Sequence, residues 1–424
     1  MCHRRSFGTL LRTTQLTPYA QAQAGADVVN FALGQPSPRI LAAQSEQLGA
    51  AAAARLGAGE DPFALQYGAG QGSAPFREAL AAFLTREHGG GGGAGAPPPV
   101  RADDLFITNG NSSALDMLCG LVLRRRADAE PPLVLAEHPT YFLAGPVFRD
   151  HGATVERLGM TSDGVDIGAL RAQAAGGRAA LAYLQPNFHN PTGRSLSAAK
   201  RAAVRAVASD TGTTVVADEP YNLLRFDARE PAAPSLATGA ASAATPALRG
   251  SVLALGSFSK ILAPGLRLGW VHAPRPAIDA LCSVGHVRSG GGSSPVTSAL
   301  VQHMLETGAL DASLLTLRGT LRERCEALCA ELDVQLGPLG FEFEPPTGGY
   351  FVWLGLPIGL DLAKFEAAAA ECGVAFTAGH RCSATDDAAD NTVDRHIRLS
   401  FAFYEPEELA MGVQRLRQAA ARSM

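Results

Sequence analysis

No apolar run in the 424-residue chain approaches the ~20 residues that a helix needs to cross a bilayer, so no membrane partner is expected. No broad basic field is present either. The formal net charge is −4, and nucleic acid is not an expected partner. The seven cysteines are an odd count and contain no CxxC pair. Cys325 and Cys329 fall on one face of a helical segment, which would suit half a metal site. We read them as buried small hydrophobes, expect no metal, and take the thiols as reduced and intracellular.

No acidic residue precedes Asp27, whereas Arg4, Arg5 and Arg12 do. That composition resembles an organelle transit peptide. We read it as a short N-terminal arm of a cytoplasmic protein, with a mitochondrial or plastid address as the alternative. The apolar stretch is too brief for a secretory signal. The glycine run GGGGGAGAPPP (89–99) lacks the GK[ST] ending of a phosphate loop, and its prolines cannot open a helix, so it reads as a flexible linker. SGGGSS (289–294) precedes a helix and reads as a mobile loop, with phosphate contact as the alternative.

What is present is 46% hydrophobic residues in a chain long enough for two or more domains. Seven short apolar runs read as strands: 105–108, 132–137, 154–158, 180–184, 213–218, 252–257 and 268–273. Helical patterns such as 112–126 and 197–210 lie between them. This alternation argues an α/β fold with a mostly parallel sheet covered on both faces, and ligands then bind at the carboxyl ends of the strands. After about residue 300 a helical stretch precedes FEFEPPTGGYFVWLGL and HIRLSFAFYEPEEL, which read as strands of a smaller α+β unit. The boundaries expected are 1–50 for an N-terminal arm grouped with the small unit, 51–295 for the large domain and 296–424 for the small one.

Five motifs fall at strand ends. NGNSSALDM (109–117) opens a helix, where free backbone N–H groups make an anion site; simple capping by Asn and Ser is the alternative. HPTYFLAG (138–145) carries Tyr141. NFHNPTG (187–193) carries Asn190. DEPY (218–221) closes an apolar strand with Asp218, which on its own would read as a structural acid. GSFSK (256–260) places Lys260 beside serines, with Arg267 seven positions on. One chemistry uses all five: pyridoxal phosphate needs an anion cup, a lysine for the Schiff base, an acid at the ring nitrogen, donors at the phenolic oxygen and a stacking ring.

The order and spacing of NPTG, DEPY and SFSK…GLRLGW resemble the fold-type-I aminotransferases of class I and II, in particular the branch with aminoadipate and kynurenine transaminases. The resemblance runs from FALGQPSP (31–38) to IRLSFAF (397–403). It implies a seven-stranded sheet sandwiched by helices, with pyridoxal 5′-phosphate as cofactor. It implies Lys260 as the Schiff-base lysine, Asp218 at the ring nitrogen, Tyr221 and Asn190 at the phenolic oxygen and Tyr141 on the ring face. Asn111, Ser112, Ser257, Arg267 and Ser259 would hold the phosphate. On an extended segment Ser257 and Ser259 would face the cofactor and Phe258 the core. Tyr67 resembles the tyrosine that reaches the phosphate of the neighbouring subunit, which implies a homodimer. Arg398 resembles the arginine that forks onto the substrate α-carboxylate. Gly34 falls in the segment that closes over substrate.

The implied reaction moves an amino group from an L-amino acid to a 2-oxo acid, 2-oxoglutarate by default, in ping-pong fashion. The freed Lys260 amine removes the α-proton and returns it to the cofactor, which requires a pKa well below the usual ~10.4. Two departures stand out. The anion loop has small side chains where relatives in this branch often carry glutamines, and His189 sits beside the key asparagine as loop structure without an identifiable partner. Arg39, after GQPSP, reads as a surface arginine rather than a reader of a distal carboxylate. Rival readings are a lyase or decarboxylase on the same fold and a non-catalytic sensor. About thirty residues before the match are too few for a DNA-binding module.

Overall fold

The computed structural model describes residues 27–57, 62–90, 92, 95–123, 130–239, 248–385 and 393–424. The arginine-rich start of the chain and part of the 89–99 run lie outside the described residues. In chain order the strands are β1 (Val29–Asn30), β2 (Leu105–Thr108), β3 (Leu133–Glu137), β4 (Thr154–Leu158), β5 (Met160–Thr161), β6 (Gly164–Val165) and β7 (Ala179–Leu184). They continue with β8 (Thr214–Asp218), β9 (Val252–Ser257), β10 (Gly269–His272), β11 (Phe351–Gly355), β12 (Val374–Ala375), β13 (Thr377–Ala378) and β14 (His396–Ser400).

All seven apolar runs expected as strands join one sheet, in the order β2-β10-β9-β8-β7-β3-β4. Only β10 runs antiparallel to its neighbours. The runs lack polar alternation because both faces are covered: every residue of β2, β3, β8, β9 and β10 is buried. Strand periodicity divides their side chains between two layers. Leu181, Tyr183, Val216, Leu253 and Leu255 pack on one face. Ala182, Leu184, Val215, Ala217 and Ala254 pack on the other, with Val204 and Val207 of the helix Ala198–Thr211.

A separate three-stranded antiparallel sheet, β11-β14-β13, falls after residue 300 with the helices Ala309–Gln335, Leu362–Glu371 and Pro406–Ser423. β1 pairs in parallel with β12. Several expectations need correction. In FEFEPPTGGYFVWLGL only Phe351–Gly355 is a strand. β14 stops at Ser400, because Glu405 and Glu408 form a capping box that starts a helix at Pro406. The helical stretch after 300 is two helices, Pro295–Glu306 and Ala309–Gln335, separated at Gly308 with φ 75°. SGGGSS is not a free loop: its first residues end the helix Gly285–Gly290, and Gly292 N–H donates to Gly68 O at 2.9 Å. Two backbones meet there. A Cβ on Gly292 would lie 1.9 Å from Ala69 O.

Packing is equally close under β9. A Cβ on Gly256 would lie 2.0 Å from Trp270 Cε2, and the indole is wedged edge-on against Phe258 at 5.1 Å. Gly256→Ala is therefore expected to cost about 1–3 kcal/mol through overpacking. A lowered urea midpoint at unchanged slope would show it.

Candidate active site

The carboxyl ends of β2, β3, β7, β8 and β9 open on one edge of the sheet, and the expected residues collect there. β8 ends in Asp218, which is buried. Asn111 Nδ2 donates to its Oδ1 at 2.6 Å, and Tyr183 OH donates to its Oδ2 at 2.6 Å. Burial pushes the Asp218 acid up, and the Tyr183 and Asn111 bonds and the Lys260 charge pull it back. The Asn111 side chain is thus committed to Asp218 rather than to the anion cup.

β9 ends at Ser257, and residues 258–260 form a turn. The extended geometry expected for Ser257 and Ser259 does not occur, because Ser259 N–H folds back onto Ser257 Oγ at 3.0 Å. Phe258 does enter the core. The turn carries Lys260 inward, where Nζ donates to Gly34 O at 2.8 Å and faces the Tyr350 ring at 5.6 Å. Tyr350 OH in turn donates to Lys260 O at 3.1 Å. Burial, aided by the Arg398 charge and opposed by Asp218, brings the Lys260 ammonium down to about 8. Gly34 admits no side chain, since a Cβ would lie 2.9 Å from the Phe351 ring.

The helix Asn111–Val122 starts after Gly110, at φ 87°, with no side chain capping its N-terminus. Ser112 is exposed there. The exposed guanidinium of Arg267 lies over Gly110, donating to Asn109 O and Pro264 O at 3.3 Å each. Uncapped backbone donors beside an arginine and the buried Ser257 hydroxyl make a cradle suited to phosphate.

Arg398, on β14, is almost wholly buried, and its described partners are all neutral. Nη1 donates to Asn190 Oδ1 at 2.8 Å, and Nη2 to Ala32 O at 3.0 Å and Thr377 Oγ1 at 3.1 Å. Its guanidinium carbon lies 4.3 Å from the Phe351 ring centroid, and buried Nε has no partner. Tyr221 packs edge-on to Phe351 at 5.8 Å. Half-buried Tyr141 lies near enough for Asp218, Arg398 and Arg267 to act on its phenol, although burial is what chiefly raises it. Two expected residues stand out by exposure. Tyr67 is 83% exposed, while the Arg39 side chain is 78% exposed and 3.6 Å from Glu405.

The sequence profile of the family described as aminotransferase class I and II matches residues 26–416. A 2-aminoadipate transaminase of Thermus thermophilus is 32% identical over 92% of this chain and 90% of its own length. The chain belongs to the class I and II aminotransferases. A crystal structure of alpha-aminoadipate aminotransferase from the same organism, complexed with N-(5′-phosphopyridoxyl)-L-leucine, covers 93% of this chain and 92% of that one. Its TM-score is 0.73 at 29% identity. An uncharacterised HTH-type transcriptional regulator of Bacillus subtilis is 26% identical over 95% of this chain and 76% of its own. As a member of this family the chain is a pyridoxal-phosphate-dependent transferase.

Three parts of this aminotransferase site escaped the sequence. Tyr183 reads as one more core aromatic; the signal was that a phenol in an apolar strand needs a hydrogen-bond partner. Phe351 and Tyr350 read as strand core. His189 does have partners: it is 1% exposed, with Nδ1 3.0 Å from Thr192 Oγ1 and Nε2 3.3 Å from the buried Glu137 carboxylate. It lies between Thr192 of the Asn190 loop and Glu137 at the end of β3. Cys325 and Cys329 lie with their sulfurs 3.9 Å apart inside the helix Ala309–Gln335, and no cluster of metal-ligating side chains occurs among the described residues.

Lys260 is one of three lysines in the chain, beside Lys200 and Lys364. A base whose pKa is lowered to about 8 is half deprotonated there, so its nucleophilicity levels off above that pH. Labelling by an amine-selective reagent, read by peptide mass spectrometry on cofactor-free protein, should rise about tenfold per pH unit below 8 at Lys260 and then level off.

Proposed function

We propose that this aminotransferase moves the amino group of an L-amino acid to a 2-oxo acid, 2-oxoglutarate by default, with pyridoxal phosphate at the carboxyl edge of β2, β7, β8 and β9. The observation that carries the reading is Arg398: a buried guanidinium with neutral partners and an unpartnered Nε, facing the same cleft as Lys260 and Asp218. Such a group favours a carboxylate ligand strongly.

When bound, the cofactor supplies an electron sink for charge developing at the substrate α-carbon. The protein's own groups do the rest. With the cofactor bound, the N-terminus of the helix Asn111–Val122, Ser112, Arg267 and Ser257 would hold the phosphate, with Ser259 beside them. An ionised Asp218 would favour a proton on the ring nitrogen. Tyr141 would stack on the ring, and Tyr221 with the Asn190 amide would donate to the phenolic oxygen. Arg398 is oriented by Asn190, Ala32 and Thr377, so it grips the α-carboxylate at little entropic cost. The Lys260 amine, lowered to about 8, takes and returns a proton at Nζ near neutral pH. Its bond to the Gly34 carbonyl links it to the segment that closes over substrate.

Catalysis is favoured over a sensing role because acid, base and carboxylate clamp are all assembled. Two donor states of one cofactor imply ping-pong kinetics. Lys260→Ala should fold and lose nearly all turnover, together with the visible band of bound cofactor. Wild-type turnover in that variant would end the proposal. In wild type, bleaching of that band by some amino acids, with release of a 2-oxo acid, separates transamination from elimination or decarboxylation. Arg398→Ala should lower kcat/KM for amino acids by about 2–5 kcal/mol, because a buried charge pair loses one partner.

The exposed phenol of Tyr67 supports a homodimer in which it completes the partner's phosphate site. Mixing inactive Tyr67→Ala and Lys260→Ala subunits should then restore up to one intact site per hybrid dimer. No recovery after subunit exchange would place Tyr67 outside the partner's site.

A further inference from the structure

Asp218 has neither carboxylate oxygen free of a protein donor. Oδ1 takes the Asn111 amide and Oδ2 the Tyr183 phenol, both at 2.6 Å. The two donors arrive from opposite sides: Asn111 from the helix that follows β2, Tyr183 from β7, the strand next to β8. Each donor is itself fixed. Asn111 Nδ2 also reaches Leu255 O at 3.3 Å, which sets the amide plane. Tyr183 is fully buried, its ring edge-on to Phe148 at 5.5 Å, so the phenol cannot swing away. Burial also drives the Tyr183 phenol well above its ordinary range, so it remains a donor to the carboxylate and never competes as an anion.

We propose that Tyr183, with Asn111, is a positioning residue: the two donors keep Asp218 ionised and aimed, and so keep the proton on the cofactor ring nitrogen rather than on the acid. The inference rests on the proposed pairing of Asp218 with that nitrogen. The chemistry is a choice between two places for one proton. A carboxylate with two strong donors is the weaker base, and the proton stays on nitrogen; with one donor removed, the carboxylate gains basicity and draws the proton over. No atom is added or lost. What changes is the capacity of the ring to accept electrons, since the protonated ring is the stronger sink.

The test is nitrogen NMR of holoenzyme reconstituted with pyridoxal phosphate isotopically labelled at the ring nitrogen, beside turnover at saturating cofactor. Wild type should show a protonated-pyridine resonance. Tyr183→Phe keeps the ring and removes only the hydroxyl; its resonance should move toward the neutral-pyridine position, with kcat lowered about tenfold or more, the fold-change equivalent of one hydrogen bond to a charged group. In an Asp218→Asn background the same substitution should have no further effect on either readout, because the phenol acts only through the carboxylate. A merely structural tyrosine would lower stability and leave the resonance in place. An unmoved resonance in Tyr183→Phe, where Asp218→Asn does move it, overturns the inference and leaves the functional reading standing. If Asp218→Asn also leaves it unmoved, the pairing of Asp218 with the ring falls first. Should Tyr183→Phe fail to fold, Asn111→Leu removes the other donor and must shift the resonance the same way.

Discussion

A carboxylate taken out of water at the end of β8 is the constraint to which the rest of this molecule answers. Burying an ionised acid is unfavourable unless hydrogen bonds and charge make good the lost hydration. For Asp218 that compensation comes from three different elements: Asn111 after β2, Tyr183 on β7 and the Lys260 ammonium in the turn after β9. None is near Asp218 in sequence. They converge only because the strand order puts β7 and β9 on either side of β8, with β2 two places beyond and its carboxyl end at the same edge. Sheet topology and site electrostatics are here one requirement. A register slip in any of these strands would strand a buried charge.

Another buried charge joins the two sheets. Arg398 belongs to β14 of the smaller sheet, yet its guanidinium bonds to Asn190 in the loop after β7 and to Ala32 beyond β1. Phe351, next to β14 on β11, lies under the guanidinium as a cation–π platform, an arrangement worth about 2 kcal/mol when desolvated. Behind Asn190, Gln185 accepts from the Asn190 N–H and donates to its carbonyl, while the Gln185 N–H reaches Glu137 at 2.7 Å. The chain of bonds from Glu137 to Arg398 makes the Asn190 loop a rigid connector rather than a surface turn.

The large sheet was legible because each strand is an uninterrupted apolar run, and chemistry-bearing motifs stood at the ends of those runs. What stayed hidden has physical reasons. Tyr183 occupies a position whose ring is core and whose hydroxyl is site, and sequence shows only the first. The resemblance implies Asn111 at the phosphate, but its side chain turns to an acid more than a hundred residues away. Ser257 and Ser259 face the same way only on an extended segment; the backbone turns after Ser257 instead, satisfying the Ser259 N–H on Ser257. Glycine richness at 289–294 suggested freedom. At Gly292 it marks the opposite, a contact with Ala69 too tight for any side chain.

Charge balance explains why such a site should be less settled alone than with its ligands. Around one ionised acid the cleft gathers Lys260, Arg398 and Arg267, and their mutual repulsion adds to burial in lowering the Lys260 amine. Every anion that enters, phosphate at the helix terminus or carboxylate at Arg398, offsets part of that repulsion and satisfies donors such as Arg398 Nε. A ligand that binds only the folded state stabilises it by RT ln(1 + [L]/Kd), about 2.7 kcal/mol at a hundredfold excess over Kd. Cofactor and substrate are thus expected to act as parts of the fold. The same cations that lower the amine far enough to carry a proton also leave the empty cleft in need of negative charge, so reactivity and affinity arise from one arrangement.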